Sequence, residues 1–107
     1  MSNIDLSQLV TAEAKAQAQL EALCEGVKAE AYRRIVAICP EWQQRNLTAQ
    51  ASILAEKGRA NWSPEEAQAW KAGEALWARI ALVRKASDAL EAGKTIPRDF
   101  RDDKYWP

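Results

Sequence analysis

The sequence predicts an all-α protein, an elongated helical hairpin or three-helix arrangement with an extended aromatic tail. Three observations carry this. Apolar residues recur at steps of three and four along most of the chain. Prolines and glycines fall between those periodic stretches. No run alternates apolar and polar residues over the length of a strand.

The first helix is expected near 12–38, with Thr11 as its N-cap and residues 2–10 as a short lead-in. Ile4, Leu6, Leu9 and Val10 give that lead-in its apolar character. Ala16, Leu20, Leu23, Val27, Ala31, Ile35 and Ile38 then form one stripe. Gly26 interrupts it, at about 1 kcal/mol against alanine. Pro40 ends the helix, because the residue before proline avoids the α region.

The second helix is expected near 41–57, with Pro40 at its first position and Gly58 closing it. Trp42, Ala49 and Ile53 read as its apolar side, with Leu47 and Leu54 alongside. The third helix is expected near 64–92. Ser63, Pro64 and Glu66 spell a capping box with a leading proline, and Gly93 reads as the C′ glycine. Its stripe runs through Ala69, Gly73, Leu76, Ile80, Val83, Ser87 and Leu90, flanked by Trp70 and Trp77. Residues 1–93 thus form a single helical domain. Residues 94–107 are charged, with Phe100, Tyr105 and Trp106 spaced along them, and read as an extended tail that docks on a helix pair or a partner.

Composition narrows function more by exclusion than by signature. The chain has 107 residues, with 15 Lys plus Arg balanced by 15 Asp plus Glu. A neutral chain has no long-range field to draw in nucleic acid or an anionic membrane. The basic pairs, such as Arg33-Arg34 and Arg84-Lys85, have acids within a helical turn and read as solvated faces. Histidine is absent, which removes the commonest general base and metal ligand. No CxxC or glycine-rich phosphate loop replaces it, and the carboxylate pairs Glu65/Glu66 and Asp102/Asp103 are only adjacent in sequence, the first already explained by capping, so no enzyme, metal or cofactor is expected. No apolar run reaches membrane-spanning length, and the N-terminus lacks the signature of a signal peptide. Cys24 and Cys39 are about 22 Å apart if both lie on one helix, too far for a disulfide. They read as small buried or half-buried thiols, an intermolecular bridge being the alternative.

Leu, Ile, Val and Phe supply only 20 of 107 residues, a lean core for a small domain. Five tryptophans make up part of the deficit. Some apolar surface is therefore expected to meet a partner or another copy of the chain. Trp, Tyr and Arg dominate interface hot spots. The candidate interface residues are Trp70, Trp77, Ile80, Arg84, Tyr105 and Trp106. The plainer alternative is that Trp42, Trp70 and Trp77 fill the core, and that Arg84 is exposed and paired with Asp88. Pro40, Trp42, Gln44 and Asn46 are expected to form a structural junction. In it Trp42 is buried against the first helix or a neighbour, and the two amides supply hydrogen bonds.

Three segments carry a family likeness: residues 3–15, residues 34–46 with the pattern Pro40-x-Trp42-x-Gln44-x-Asn46, and Asn61-Trp62-Ser63-Pro64-Glu65-Glu66 followed by Trp77-Ala78-Arg79-Ile80. Together they resemble tailed-bacteriophage tail-region proteins, small helical proteins associated with tail fibres or helical segments at fibre C-termini. The likeness covers roughly residues 3–92 and excludes the tail. It implies a non-enzymatic structural protein of the virion tail, made in the host bacterial cytoplasm. Its partners would be tail-fibre or baseplate proteins, and fibre symmetry would favour a homo-oligomer of three copies. The alternatives are a tail-fibre assembly chaperone and a small phage-encoded inhibitor of a host defence complex.

Overall fold

The computed structural model describes the backbone of residues 2–107 and the side chains of residues 11–107. Three α-helices carry the fold: α1 Ser2–Ile38, α2 Glu41–Lys57 and α3 Pro64–Ala92. No strand occurs among the described residues, and the molecule is elongated. α3 packs most extensively on α1 and then runs on along α2. It is antiparallel to both. Lys28 faces Glu91 at one end, and Lys57 pairs with Glu66 at 2.8 Å at the other. Between them, Leu47 of α2 lies over Gly73. α1 and α2 therefore form one jointed arm of a hairpin, and α3 forms the other.

The helix boundaries follow the local chemistry, with three corrections. α1 begins at Ser2, so Thr11 lies inside the helix and is not its N-cap. The alanine-rich, proline-free sequence lets the helix propagate upstream. The side chains of Ile4, Leu6, Leu9 and Val10 lie outside the described residues. Pro40 is the residue before α2, with ψ at 154°, and Glu41 is the first helical position. Gly93 follows α3 in an extended conformation, φ −68°, so the helix ends without the left-handed turn expected of it. The other ends behave as expected. Ser63 and Glu66 form the reciprocal capping box. Gly58 closes α2 at φ 87°, a backbone only glycine adopts cheaply.

The core is small and lies where α1, α3 and the tail meet. Val27, Ala31, Val83, Ile96, Phe100 and Trp106 form one buried cluster, with Leu20, Leu23, Ile35, Ile38 and Leu90 against its edge. Ala16 is exposed, so the stripe read along α1 is used only from Leu20 onward.

The tail docks on its own chain. It is a series of turns ending in a one-turn 3₁₀ helix, Asp103–Tyr105, rather than a straight extension. Its Phe100 ring lies on Gly26 of α1. Trp106 donates its indole N–H to the Phe100 carbonyl at 2.7 Å. The Arg34 guanidinium stacks over the Trp106 ring, 5.1 Å from its centroid, and bonds Asp103 and the Arg101 carbonyl. Gly26 is thus where the Phe100 ring of the tail packs directly on the helix, and not merely a weak point in α1.

The apolar side of α2 is the largest correction. Leu54 is buried and Leu47 and Ala51 are half-buried against α3, whereas Trp42, Ala49 and Ile53 face solvent. At 100° per residue the two stripes lie roughly 140° apart on the helix. The helix uses the one containing the two leucines.

Candidate functional site

The sequence-predicted site residues fall into three places. The first is the joint between α1 and α2. The chain turns at Cys39, which is fully buried. Gln44 donates its side-chain amide to the Cys39 carbonyl at 2.8 Å, satisfying a group that Pro40 would leave free. Tyr32 spans the joint by donating its hydroxyl to Glu41 at 2.7 Å. That carboxylate, which the phenol must face as it ionises, pushes the Tyr32 pKa up. Asn46 is exposed, and the joint holds without it. Trp42 is 60% exposed and is not buried against the first helix.

The second place is α3. Ile80 is fully buried at the centre of the hairpin, so it has no surface to offer a neighbour. Trp77 and Arg84 lie to either side of it and face the same side of the hairpin. Trp77 is half-buried and walls a groove with Glu41, Gln44, Arg45, Thr48 and Ala49. Arg84 is exposed in the next groove along, beside Tyr32, Ile35 and Asp88.

Trp70 is half-buried and packs on Trp62, with ring centroids 5.0 Å apart and planes at 37°. The Trp62 indole N–H caps α2 by donating to the Leu54 carbonyl at 2.8 Å. The Trp70 indole N–H is buried without a hydrogen-bond partner. This pair closes the loop end of the hairpin, a role that the sequence signals only through the proximity of Trp62 to the capping box.

The third place is the tail. Trp106 is 7% exposed within its own core, so it is an intramolecular anchor and not a clamp on a neighbour. Tyr105 is half-buried. Its hydroxyl donates to Asp99 at 2.9 Å.

The described carboxylates with displaced pKa are all displaced downward. Arg33, and then Arg34, hold the Glu30 carboxyl below its ordinary value against the cost of burial. Lys57 and the Ser63 backbone N–H do the same for Glu66, and Lys104 and Tyr105 for Asp99. Each is a charge held in an ion pair. That is the opposite of the raised carboxyl needed for a proton donor near neutrality. No cluster of three potential metal ligands occurs among the described residues. Both cysteines are free thiols. Among the described residues no helix is long and apolar enough to cross a membrane.

What the arrangement offers is surface. Trp42 and Ile53 are 60% and 64% exposed. They lie three turns apart on the outer face of α2, with Asn46 and Ala49 between them. Ala49 also lines the Trp77 groove, so this face and the seam of the hairpin are continuous. The sequence marks Trp42 and Ile53 as apolar neighbours but not as exposed ones.

No family model, no curated protein and no solved structure matches the chain.

Proposed function

We propose that the chain is a non-enzymatic helical interaction module of a phage tail, a fibre component or a fibre-attachment adaptor. The observation that carries the interaction role is the outer face of α2. Trp42 and Ile53 expose large apolar groups on a rigid helix whose other side is already packed by Leu47 and Leu54. Exposed aromatic groups of this kind anchor protein interfaces. The phage-tail assignment rests on the sequence likeness over residues 3–92, which supplies tail-fibre or baseplate proteins as partners and the virion as location.

Mass spectrometry of purified particles from the phage or prophage that encodes the chain tests this reading. The expected result is the chain at a fixed stoichiometry to the fibre protein. Absence from mature particles, with recovery on fibre intermediates, would point to the assembly chaperone. Absence from both, with recovery on a host complex, would point to the inhibitor.

A further inference from the structure

The tail is bonded to itself and only lodged on the helices. Its main-chain hydrogen bonds are internal turns, Phe100 to Pro97, Asp102 to Asp99, Tyr105 to Asp102 and Trp106 to Asp103. Its side chains add internal bonds, Trp106 to the Phe100 carbonyl and Tyr105 and Lys104 to the Asp99 carboxylate. Among the described residues no main-chain hydrogen bond joins it to a helix. The buried side chains of Ile96, Phe100 and Trp106, with the grip of Arg34 on Arg101 and Asp103, hold it in place. It is a plug with a shape of its own, and Gly26 and Arg34 mark its seat on α1.

The link between the plug and α3 is short. α3 ends at Ala92 and the plug is buried from Ile96, so Gly93, Lys94 and Thr95 are the whole connection. All of it is exposed. It turns tightly, since a Cβ on Gly93 would stand 3.0 Å from the Thr95 carbonyl oxygen. A short, sharply turned hinge before a self-contained element favours exchange of that element between copies. Opened straight, the link carries the plug away from its own α1, and only the chain that supplies the seat changes.

We infer that the seat around Gly26 and Arg34 accepts the plug of a second copy, giving a two-fold dimer in which two chains trade residues 96–106. The contacts are those the chain makes with itself, Phe100 on Gly26 and Trp106 under Arg34, so no other face of the molecule is needed. The two rings of one plug bury roughly 300–500 Å². Two plugs and their two seats together reach roughly 1,200–2,000 Å², the size of a standard stable interface. The competitor is the chain's own plug, which so short a link holds at an effective concentration in the millimolar range. At micromolar concentration the wild-type chain is therefore closed on itself, with Trp106 anchoring its own tail.

The inference does not rest on the phage assignment, so the particle experiment and the following one fail separately. Deleting Lys94 and Thr95 removes roughly 7 Å of reach and keeps the plug from turning back onto its own α1. Sedimentation velocity and circular dichroism of the full chain and of this deletion variant are the test. The deletion variant should be helical and dimeric at concentrations at least ~100-fold below those at which the wild type begins to dimerise. Four glycines inserted after Lys94 should instead keep the chain monomeric. In the deletion background Trp106→Ala should abolish the dimer, because the plug loses its anchor, whereas Trp42→Lys on the outer face of α2 should leave it unchanged. A deletion variant that is a folded monomer overturns the inference. So does one that stays unfolded at every concentration, because an accepting seat in a second copy would have restored both fold and pairing. A dimer that survives Trp106→Ala, or that Trp42→Lys dissolves, also overturns it and places the contact elsewhere.

Discussion

The Phe100 ring occupies the space that a side chain on Gly26 would fill. A Cβ at Gly26 would stand 2.7 Å from Phe100 Cζ, well inside van der Waals contact. The tail and α1 are shaped to each other at this point. Phe100 itself is buried and the segment after it is held by the Trp106 and Arg34 contacts, so the ring cannot easily move aside.

Gly26→Ala should therefore destabilise the chain, although alanine favours helix by about 1 kcal/mol. The expected net loss is about 1–2 kcal/mol, the usual result of overpacking, read by urea denaturation. In a Phe100→Ala background the same substitution should become neutral or stabilising. A loss of equal size in both backgrounds would show that the ring is not the cause.

Gly73 should behave in the opposite way. A Cβ there would meet only Leu47 Cδ2 at 3.6 Å, an ordinary contact. Gly73→Ala should stabilise by about 0.5–1 kcal/mol through helix propensity and the lost freedom of the unfolded chain. A rise in Tm of a few degrees is the expected readout.

Trp42→Ala should change stability by no more than about 0.5 kcal/mol when measured at low micromolar concentration, as for other exposed sites. Trp106→Ala should cost about 3–5 kcal/mol, because it removes a buried ring, its bond to the Phe100 carbonyl and the platform under Arg34. Chemical denaturation of the two variants side by side checks both values, and a large loss at Trp42 would place that ring in the core.

The stability of the monomer, followed at low micromolar concentration, should be flat from about pH 6 to 8, since the chain has no histidine to titrate there. It should fall on the acid side. Glu30 and Glu66 are held below the ordinary carboxyl value of 4.5 by Arg33 and Lys57 respectively. A carboxyl lowered in the folded state contributes fully above its unfolded pKa, and that contribution is lost as pH falls through the folded pKa. Thermal melts should accordingly drop below about pH 4.5, and Glu30→Gln should lessen the drop.

The local signals were readable in the sequence because they are chemical and short-range. Ser63 with Glu66, Pro40 and Gly58 each mark a helix end by what their own backbone can do. The facing of α2 was not readable. Hydrophobic spacing identifies a stripe but does not say which of two stripes is buried, and α2 carries both Trp42–Ala49–Ile53 and Leu47–Ala51–Leu54. Spacing alone selects neither, and only the position of Gly73 and Trp70 on the facing helix selects the second. The docking of the tail was half readable. Its aromatics suggested contact, but Ile96, Phe100 and Trp106 follow no helical period, so their site on α1 emerges only from the geometry around Gly26 and Arg34.

The joint at Pro40 has a mechanical consequence. One arm of the hairpin is broken at Cys39 and Pro40, while α3 passes the break without interruption, gripping α1 at Glu91 and α2 at Glu66. α3 therefore acts as a splint. The angle at which α2 holds its outer face is set by α3 rather than by the turn itself. A change that loosens the Leu47 and Leu54 contacts with α3 would leave α1 and the tail cluster intact and free α2 to swing as a lever about the buried Cys39. Bending stiffness at the loop end and stability of the core are thus separate properties of this molecule, and they can be altered one at a time.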